Sequence, residues 1–199
     1  DVPRSPQKLV VPLAYRAAVK ERDKISLKAV FQECYAKAYR WRPPEFSTSY
    51  QVTGKGPGRL RSATARVASA LLKNVSRSLA DMTASDSFTR DLYEKYLVKA
   101  WGLLSPDLRI QKPTAAGVRA AWDYLDDRFE DDEQSRRLDE VLIDLLNPPF
   151  GFDYNTAVLI FAGWFGFNSL DLRIRKSGAI EKVDVFTQWL EAGARDFFK

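Results

Sequence analysis

Histidine is absent from the 199 residues, and cysteine and methionine occur once each. The missing imidazole excludes Ser-His-Asp and Cys-His nucleophilic chemistry and every histidine-based metal site. A single thiol, Cys34, excludes an internal disulfide and a CxxC metal pair. One cysteine in a chain of this size fits a reducing compartment, so a cytoplasmic location is expected, with Cys34 as a small buried residue on a helix. Long hydrophobic runs are missing too. The longest, residues 157–167, contains two glycines and falls short of the roughly 18 apolar residues that span a bilayer. It reads as a buried helix, and no membrane is expected among the partners. No signal-peptide pattern opens the chain. It starts on Asp1 rather than Met, as an internal region of a longer protein would.

What is present is apolar and aromatic mass. Hydrophobic residues make up 45% and aromatics 13%, enough for a proper core in one large or two small domains. The net charge of +5 conceals a division. Residues 1–80 hold 16 Lys and Arg against 5 Asp and Glu, whereas residues 81–199 hold 15 against 21. Two halves of opposite sign suggest different partners.

Residues 1–7 read as a linker, and 8–14, β-branched and interrupted by Pro12, as an extended edge segment. Ser26 precedes a helix to about Trp41, with Val30, Phe31, Cys34, Tyr35 and Ala38 on its inward face, stopped by Pro43 and Pro44. Residues 45–58 form a loop, and a helix spans 59–80. Residues 88–104 form another, carrying Leu92, Tyr93, Tyr96, Leu97, Ala100 and Trp101 inward, broken at Ser105-Pro106. Residues 108–111 read as a brief strand. Thr114 is expected to cap a helix to about Phe129, Ser135 the next, and Asp153 or Asn155 a very apolar one to Phe165. Residues 170–176 alternate and turn at Ser177-Gly178 toward 179–183, before a last helix over 185–198. The expected fold is mainly α: a helical bundle over 1–113, then a winged-helix-like subdomain with a small β-hairpin over 114–199.

The clearest physical feature lies on helix 59–80. At 100° per residue, Arg59, Arg66, Lys73 and Arg77 fall within about 20° of one line. Leu60, Thr64, Val67, Ala68, Leu71, Val75 and Leu79 occupy the other side, and Lys55 and Arg61 add charge near the start. Three readings of this stripe stand open. It is a solvated or internally paired face, a contact for the phosphate backbone of nucleic acid, or a contact for an acidic protein. Gly54-Lys55-Gly56-Pro57-Gly58 looks like a phosphate loop but fails the pattern. Glycine follows the lysine where Ser or Thr is needed, and Pro57 removes an N–H, so no nucleotide cofactor is expected.

Asp123, Asp126, Asp127, Glu130, Asp131, Asp132 and Glu133 crowd one helix end. They lack the alternation and central glycine of a calcium loop and read as a soluble connection, with docking against a basic surface as the other reading. The apolar helix after the turn carries no cation, so it is no reader of base edges. Arg173, Arg175 and Lys176 on the hairpin offer phosphate contacts without sequence information. Pro148, Pro149, Phe150, Gly151 and Phe152 form a sharp turn. The prolines stop one helix, Gly151 permits an unusual backbone, and the two rings pin the turn to the core.

Residues 138–174, with Pro148, Pro149, Phe150, Gly151, Phe152, the 156–164 run and the 170–174 strand, resemble a region of very large P-loop ATPases of bacterial and archaeal phage-defence systems of the BREX type. Residues 30–44 and 96–106 are similar in style to segments upstream of that turn. The resemblance implies an internal, non-catalytic region of a multidomain protein with its nucleotide site elsewhere. The expectation is an accessory domain that contacts DNA non-specifically or relays the state of an ATPase, in contact with other domains or subunits of the assembly. A protein–protein docking module without nucleic-acid contact is the alternative.

Overall fold

The computed structural model describes residues 27–41, 58–74, 87–130, 136–169, 173–176 and 179–180. The expected linker, the 8–14 segment, residues 45–57 of the loop expected over 45–58 and the 185–198 helix lie outside these residues, while Gly58 opens a helix. The protein is mainly helical. In chain order the elements are α1 (Leu27–Ala38), α2 (Gly58–Leu72), α3 (Ser87–Asp91) continuing as a π-helix (Leu92–Ala100), α4 (Ala116–Arg128), α5 (Leu138–Leu146), α6 (Tyr154–Phe167), and the two-residue strands β1 (Arg175–Lys176) and β2 (Ala179–Ile180). Among the described residues, no helix is long and apolar enough to cross a membrane.

The chain divides into two compact units, Asp1–Ala38 and Tyr39–Lys199. Within the first, α1 carries an i,i+4 ion pair from Lys37 to Glu33 at 3.1 Å. Its expected inward face is only partly inward. Val30 and Cys34 are half-buried, but Phe31 is 60% and Tyr35 47% exposed.

The second unit is organised around α6. Every residue of α6 from Asn155 to Gly166 is buried, as suits a helix with no polar stripe to turn toward water. Asp153 caps it as expected: its Oδ1 accepts from the backbone N–H groups of Asn155 at 3.0 Å and Thr156 at 3.2 Å, and its Oδ2 accepts from the Thr156 hydroxyl at 2.5 Å. Helix α2 makes the broadest contact with α6, and α4 and α5 pack on it as well. Thr64, Val67, Ala68 and Leu71 of α2 are buried as their spacing predicts, and Ala63, Ala65, Ala70 and Leu72 join them. The small residues widen the buried face and let two backbones approach. At Gly166 a Cβ would stand 1.9 Å from the Leu71 carbonyl oxygen, and at Gly163 it would meet the Leu103 side chain at 2.9 Å. A single core cluster therefore joins Val67 and Leu71 to Trp122, Leu142 and Phe161. The boundary expected at residue 113 runs through the α2–α6 contact.

The helix from Ser87 changes winding at Leu92. Its buried residues, Leu92 and Tyr93 and then Tyr96 and Leu97, recur every four residues, a longer interval than the 3.6 of an α-helix. A wider turn keeps such a pattern on one side, and the Trp101 N–H accordingly reaches the Tyr96 carbonyl at 2.8 Å, an i→i−5 bond. The helix ends at Ala100 rather than 104, because Gly102 takes a left-handed φ of 62° with the Thr114 side chain over it. Leu104 then bridges Ile110 in an isolated antiparallel pair.

Two expected caps are replaced. Helix α4 starts after Ala115, without a side-chain cap; the Thr114 N–H instead donates to the Trp101 carbonyl at 3.0 Å. Helix α5 starts after Arg137, two residues beyond Ser135, which lies outside the described residues. Beyond α6, β1 pairs antiparallel with β2, Arg175 opposite Ile180 and Lys176 opposite Ala179.

The glycine contacts predict an ordered pair of outcomes. Gly166→Ala, facing immovable backbone, should cost about 3 kcal/mol, at the upper end of overpacking effects, whereas Gly163→Ala, facing the movable end of Leu103, should cost about 1 kcal/mol or less. Urea unfolding midpoints of the two variants check the order.

Candidate nucleic-acid interface

The cationic stripe is only partly within view. Arg59 lies on α2, but its side chain, like those of Arg175 and Lys176 on β1, is outside the described set; Lys55 and Arg77 lie outside it altogether. Arg66 and Lys73 are described. Arg66 is half-buried, and its Nη2 donates to the Thr89 hydroxyl at a long 3.5 Å, linking α2 to the start of α3. Lys73 is exposed in the turn after α2, its N–H bonded to the Ser69 carbonyl at 3.1 Å. Arg173 is exposed and donates through Nη1 to the Ser169 carbonyl at 3.2 Å.

Burial on the opposite face decides whether α2 tolerates this charge. Fully burying Val67 and Leu71 contributes about 1.5–3 kcal/mol each. Repulsion between like charges one helical turn apart costs about 0.2–0.5 kcal/mol per pair. The helix therefore needs no counter-ion to stay folded.

The acidic cluster is put to other use. Lys112 Nζ lies 3.0 Å from Asp123 Oδ1 and 2.9 Å from Asp126 Oδ2, and Arg119 Nε lies 3.1 Å from Asp123 Oδ1. The other oxygen of Asp126 accepts from the indole N–H of Trp164 at 2.7 Å, a bond into the core because Trp164 is buried. Part of the cluster thus faces inward, which differs from the soluble-connection reading: Asp126 joins α4 to α6. Burial by itself would raise the Asp123 carboxyl, but the hydrogen bonds from Lys112 and Arg119 prevail and hold it below the usual carboxylate range. Among the described residues, no three His, Cys, Asp or Glu side chains gather in a metal-holding group. Asp127 and Glu130 are exposed, and Asp131, Asp132 and Glu133 lie outside the described residues.

One acidic contact went unforeseen. Tyr124 of α4 donates its hydroxyl to Asp144 of α5 at 2.5 Å and packs on Phe150 with ring centroids 5.5 Å apart. Burial, then the Asp144 carboxylate, pushes the phenol pKa up. Tyr154, at the start of α6, is pushed up to about 12 by burial.

Phe150 and Phe152 of the Pro-Pro turn are buried, as their types predict, and pack at a tilt with ring centroids 5.5 Å apart. The Pro148–Pro149 bond is cis, Gly151 has a φ of 68°, and the Tyr39 ring occupies the space a Cβ would take, 2.2 Å from Cδ1. The Pro149 carbonyl accepts the Trp41 N–H at 3.1 Å, and the Phe152 N–H reaches back to Leu145 at 3.0 Å. These contacts make the turn a clamp between the 39–41 segment and the α5–α6 corner.

The signal for the Arg119–Asp123 pair is its i,i+4 spacing. Lys112 and Trp164 carry no local signal, since they reach the cluster only through the fold. No protein-family model, curated protein or solved structure matches the chain.

Two outcomes follow from the buried bonds. Asp126→Ala should destabilise by about 1–3 kcal/mol, because the Trp164 N–H is left without its acceptor. Asp126→Asn, which keeps a carbonyl oxygen, should lose less, since the exposed Lys112 pairing contributes about 0–1 kcal/mol; urea unfolding followed by tryptophan fluorescence compares them. For the tyrosines the sign runs one way. Both hold their protons more tightly folded than unfolded, so the stability is fully present below the ordinary phenol pKa of 10.0 and is lost as pH rises toward 12. Urea midpoints at pH 8, 10 and 11 should fall across that window, and Tyr154→Phe should flatten the fall.

Proposed function

We propose that the chain is a non-catalytic helical module that contacts duplex DNA through its phosphate backbone, without reading sequence, as an accessory region of a larger P-loop ATPase of the BREX phage-defence type. One observation carries the DNA contact. Arg66 of α2, half-buried, and Lys73 of the turn after it, exposed, lie off the face on which Val67, Ala68 and Leu71 are buried. Phosphate suits such cations because each one that meets it releases a condensed counter-ion, and no base-edge geometry is required.

The succession of α5, tight turn, α6 and a short antiparallel ladder is that of a winged-helix unit whose middle helix packs rather than reads. Its burial from Asn155 to Gly166 keeps it from a groove. In this reading Arg173, Arg175 and Lys176 lie beside the unit as auxiliary phosphate contacts, and the chain works in a reducing, cytoplasmic compartment. The ATPase assignment rests on the resemblance of residues 138–174 alone. A docking module is the second reading, favoured by the 60% exposure of Phe31 on α1; large exposed aromatics suit protein contacts.

A titration of mixed-sequence duplex DNA against salt distinguishes the two. Affinity should fall steeply between 50 and 200 mM salt, on the order of 10-fold or more, and Arg66→Ala with Lys73→Ala should reduce the slope of log K against log salt by about 1.8. Absence of binding at low salt would rule out the DNA reading in favour of docking.

A further inference from the structure

We infer that an ordered water molecule is held between α2 and α6, where it bridges the hydroxyl of Thr64 to the side-chain amide of Asn155. Both residues are buried, Thr64 at 3% and Asn155 at 4% exposure. Among the described residues, neither Thr64 Oγ1 nor Asn155 Nδ2 has a hydrogen-bond partner. A threonine inside a helix can satisfy its hydroxyl on the carbonyl four residues back, and Thr64 does not. Buried polar groups are costly to leave unmade, so two such groups on neighbouring helices point to a shared partner. The site stands whether or not the chain binds DNA.

The two groups lie on facing stripes of one seam. The helices touch where the Leu71 carbonyl stands over Gly166, in the last turn of each. Antiparallel helices joined by their last turns would part at once, so broad contact along their length makes α2 and α6 run parallel. At about 100° per residue, Thr64 lies within about 20° of Leu71 on α2, and Asn155 within about 20° of Gly166 on α6. At roughly 1.5 Å per residue, Thr64 stands about 10 Å back from the touching point and Asn155 about 16 Å. The offset of about 6 Å exceeds a direct bond of about 2.8 Å and matches two such bonds in series through one water. The hydroxyl donates and accepts, and the amide donates, which gives the water two of the roughly two to four partners that a buried water takes. The seam therefore changes character along its length. Glycine lets the backbones meet at its C-terminal end, and the polar pair holds them a water's width apart toward its N-terminal end.

The test uses the whole chain, isotope-labelled for NMR. The Asn155 side-chain amide protons should show cross-peaks to water that are opposite in sign in NOE and rotating-frame NOE spectra, the signature of a water held far longer than surface water. Thr64→Val, which removes the hydroxyl but keeps the shape, should lower the urea unfolding midpoint, because the water loses an anchor and the Asn155 amide loses its acceptor. With no water present, the same change deletes an unmet group and leaves the midpoint unchanged or raised. Asn155→Ala should also lower the midpoint. The double variant should lose less than the two single losses together, since either change breaks the same bridge. Absence of the cross-peaks in the parent, a Thr64→Val midpoint at or above the parent's, or losses that simply add overturns the inference.

Discussion

The approach of α2 to α6 at Gly166, where the Leu71 carbonyl occupies the place of a side chain, is the contact on which the rest of the larger unit depends. Two helices can come this close only if one of them carries no Cβ at the crossing. Once they do, the alanines of α2 suffice to seal the interface, and bulk is needed only at Val67, Leu71 and Leu72. The direction in which α2 points its charged side is then fixed by the same contact. Rotating the helix to hide Arg66 would lift those apolar residues out of the core, at about 1.5–3 kcal/mol for each large one.

A second layer of constraint comes from polar groups that face inward. Trp164 brings an N–H into the core that must find an acceptor, and Asp126 supplies it from α4. Tyr124 and Asp144 tie α4 to α5 in the same way. Each bond is modest in net worth, but each is expensive to leave unmade. Together with the clamp of the Pro-Pro turn on the 39–41 segment, they fix helix positions that apolar packing alone would allow to slide.

Much of this was legible in the sequence, and for identifiable reasons. Period fixed the helices: the inward positions Thr64, Val67, Ala68 and Leu71, and Leu92, Tyr93, Tyr96, Leu97 and Trp101, are spaced so that a helix buries them. The all-round apolarity of 157–167 announced a central helix, and Asp153 announced its start. The phenylalanines of the turn were readable from type and from the prolines beside them. What escaped was whatever depends on residues distant in sequence. The Asp126–Trp164 bond spans 38 positions, and nothing local to either residue signals it. The split near residue 113 was drawn from the winged-helix order of the later elements, and the contact between α2 and α6, distant in sequence, reaches across that position. Helix α4 starts after Ala115, one residue later than Thr114 suggested, and the N–H groups of both residues bond the Trp101 carbonyl, a contact with no local sequence signal. Phe31 and Tyr35 show the converse limit: helical spacing tells which residues share a face of α1, not whether anything covers it.

The candidate interface follows from the same hierarchy of energies. Burial on one side of α2 exceeds like-charge repulsion on the other by several-fold, so the fold carries the basic side chains without needing them. A residue that packing requires is explained by packing. Arg66, half-buried and bonded to Thr89, and Lys73, exposed in the turn after α2, lie off that buried face. The phosphate contact proposed for them adds no demand that the packing of α2 would oppose, and a repeating anion suits surface cations with less further geometry than a shaped acidic pocket would need.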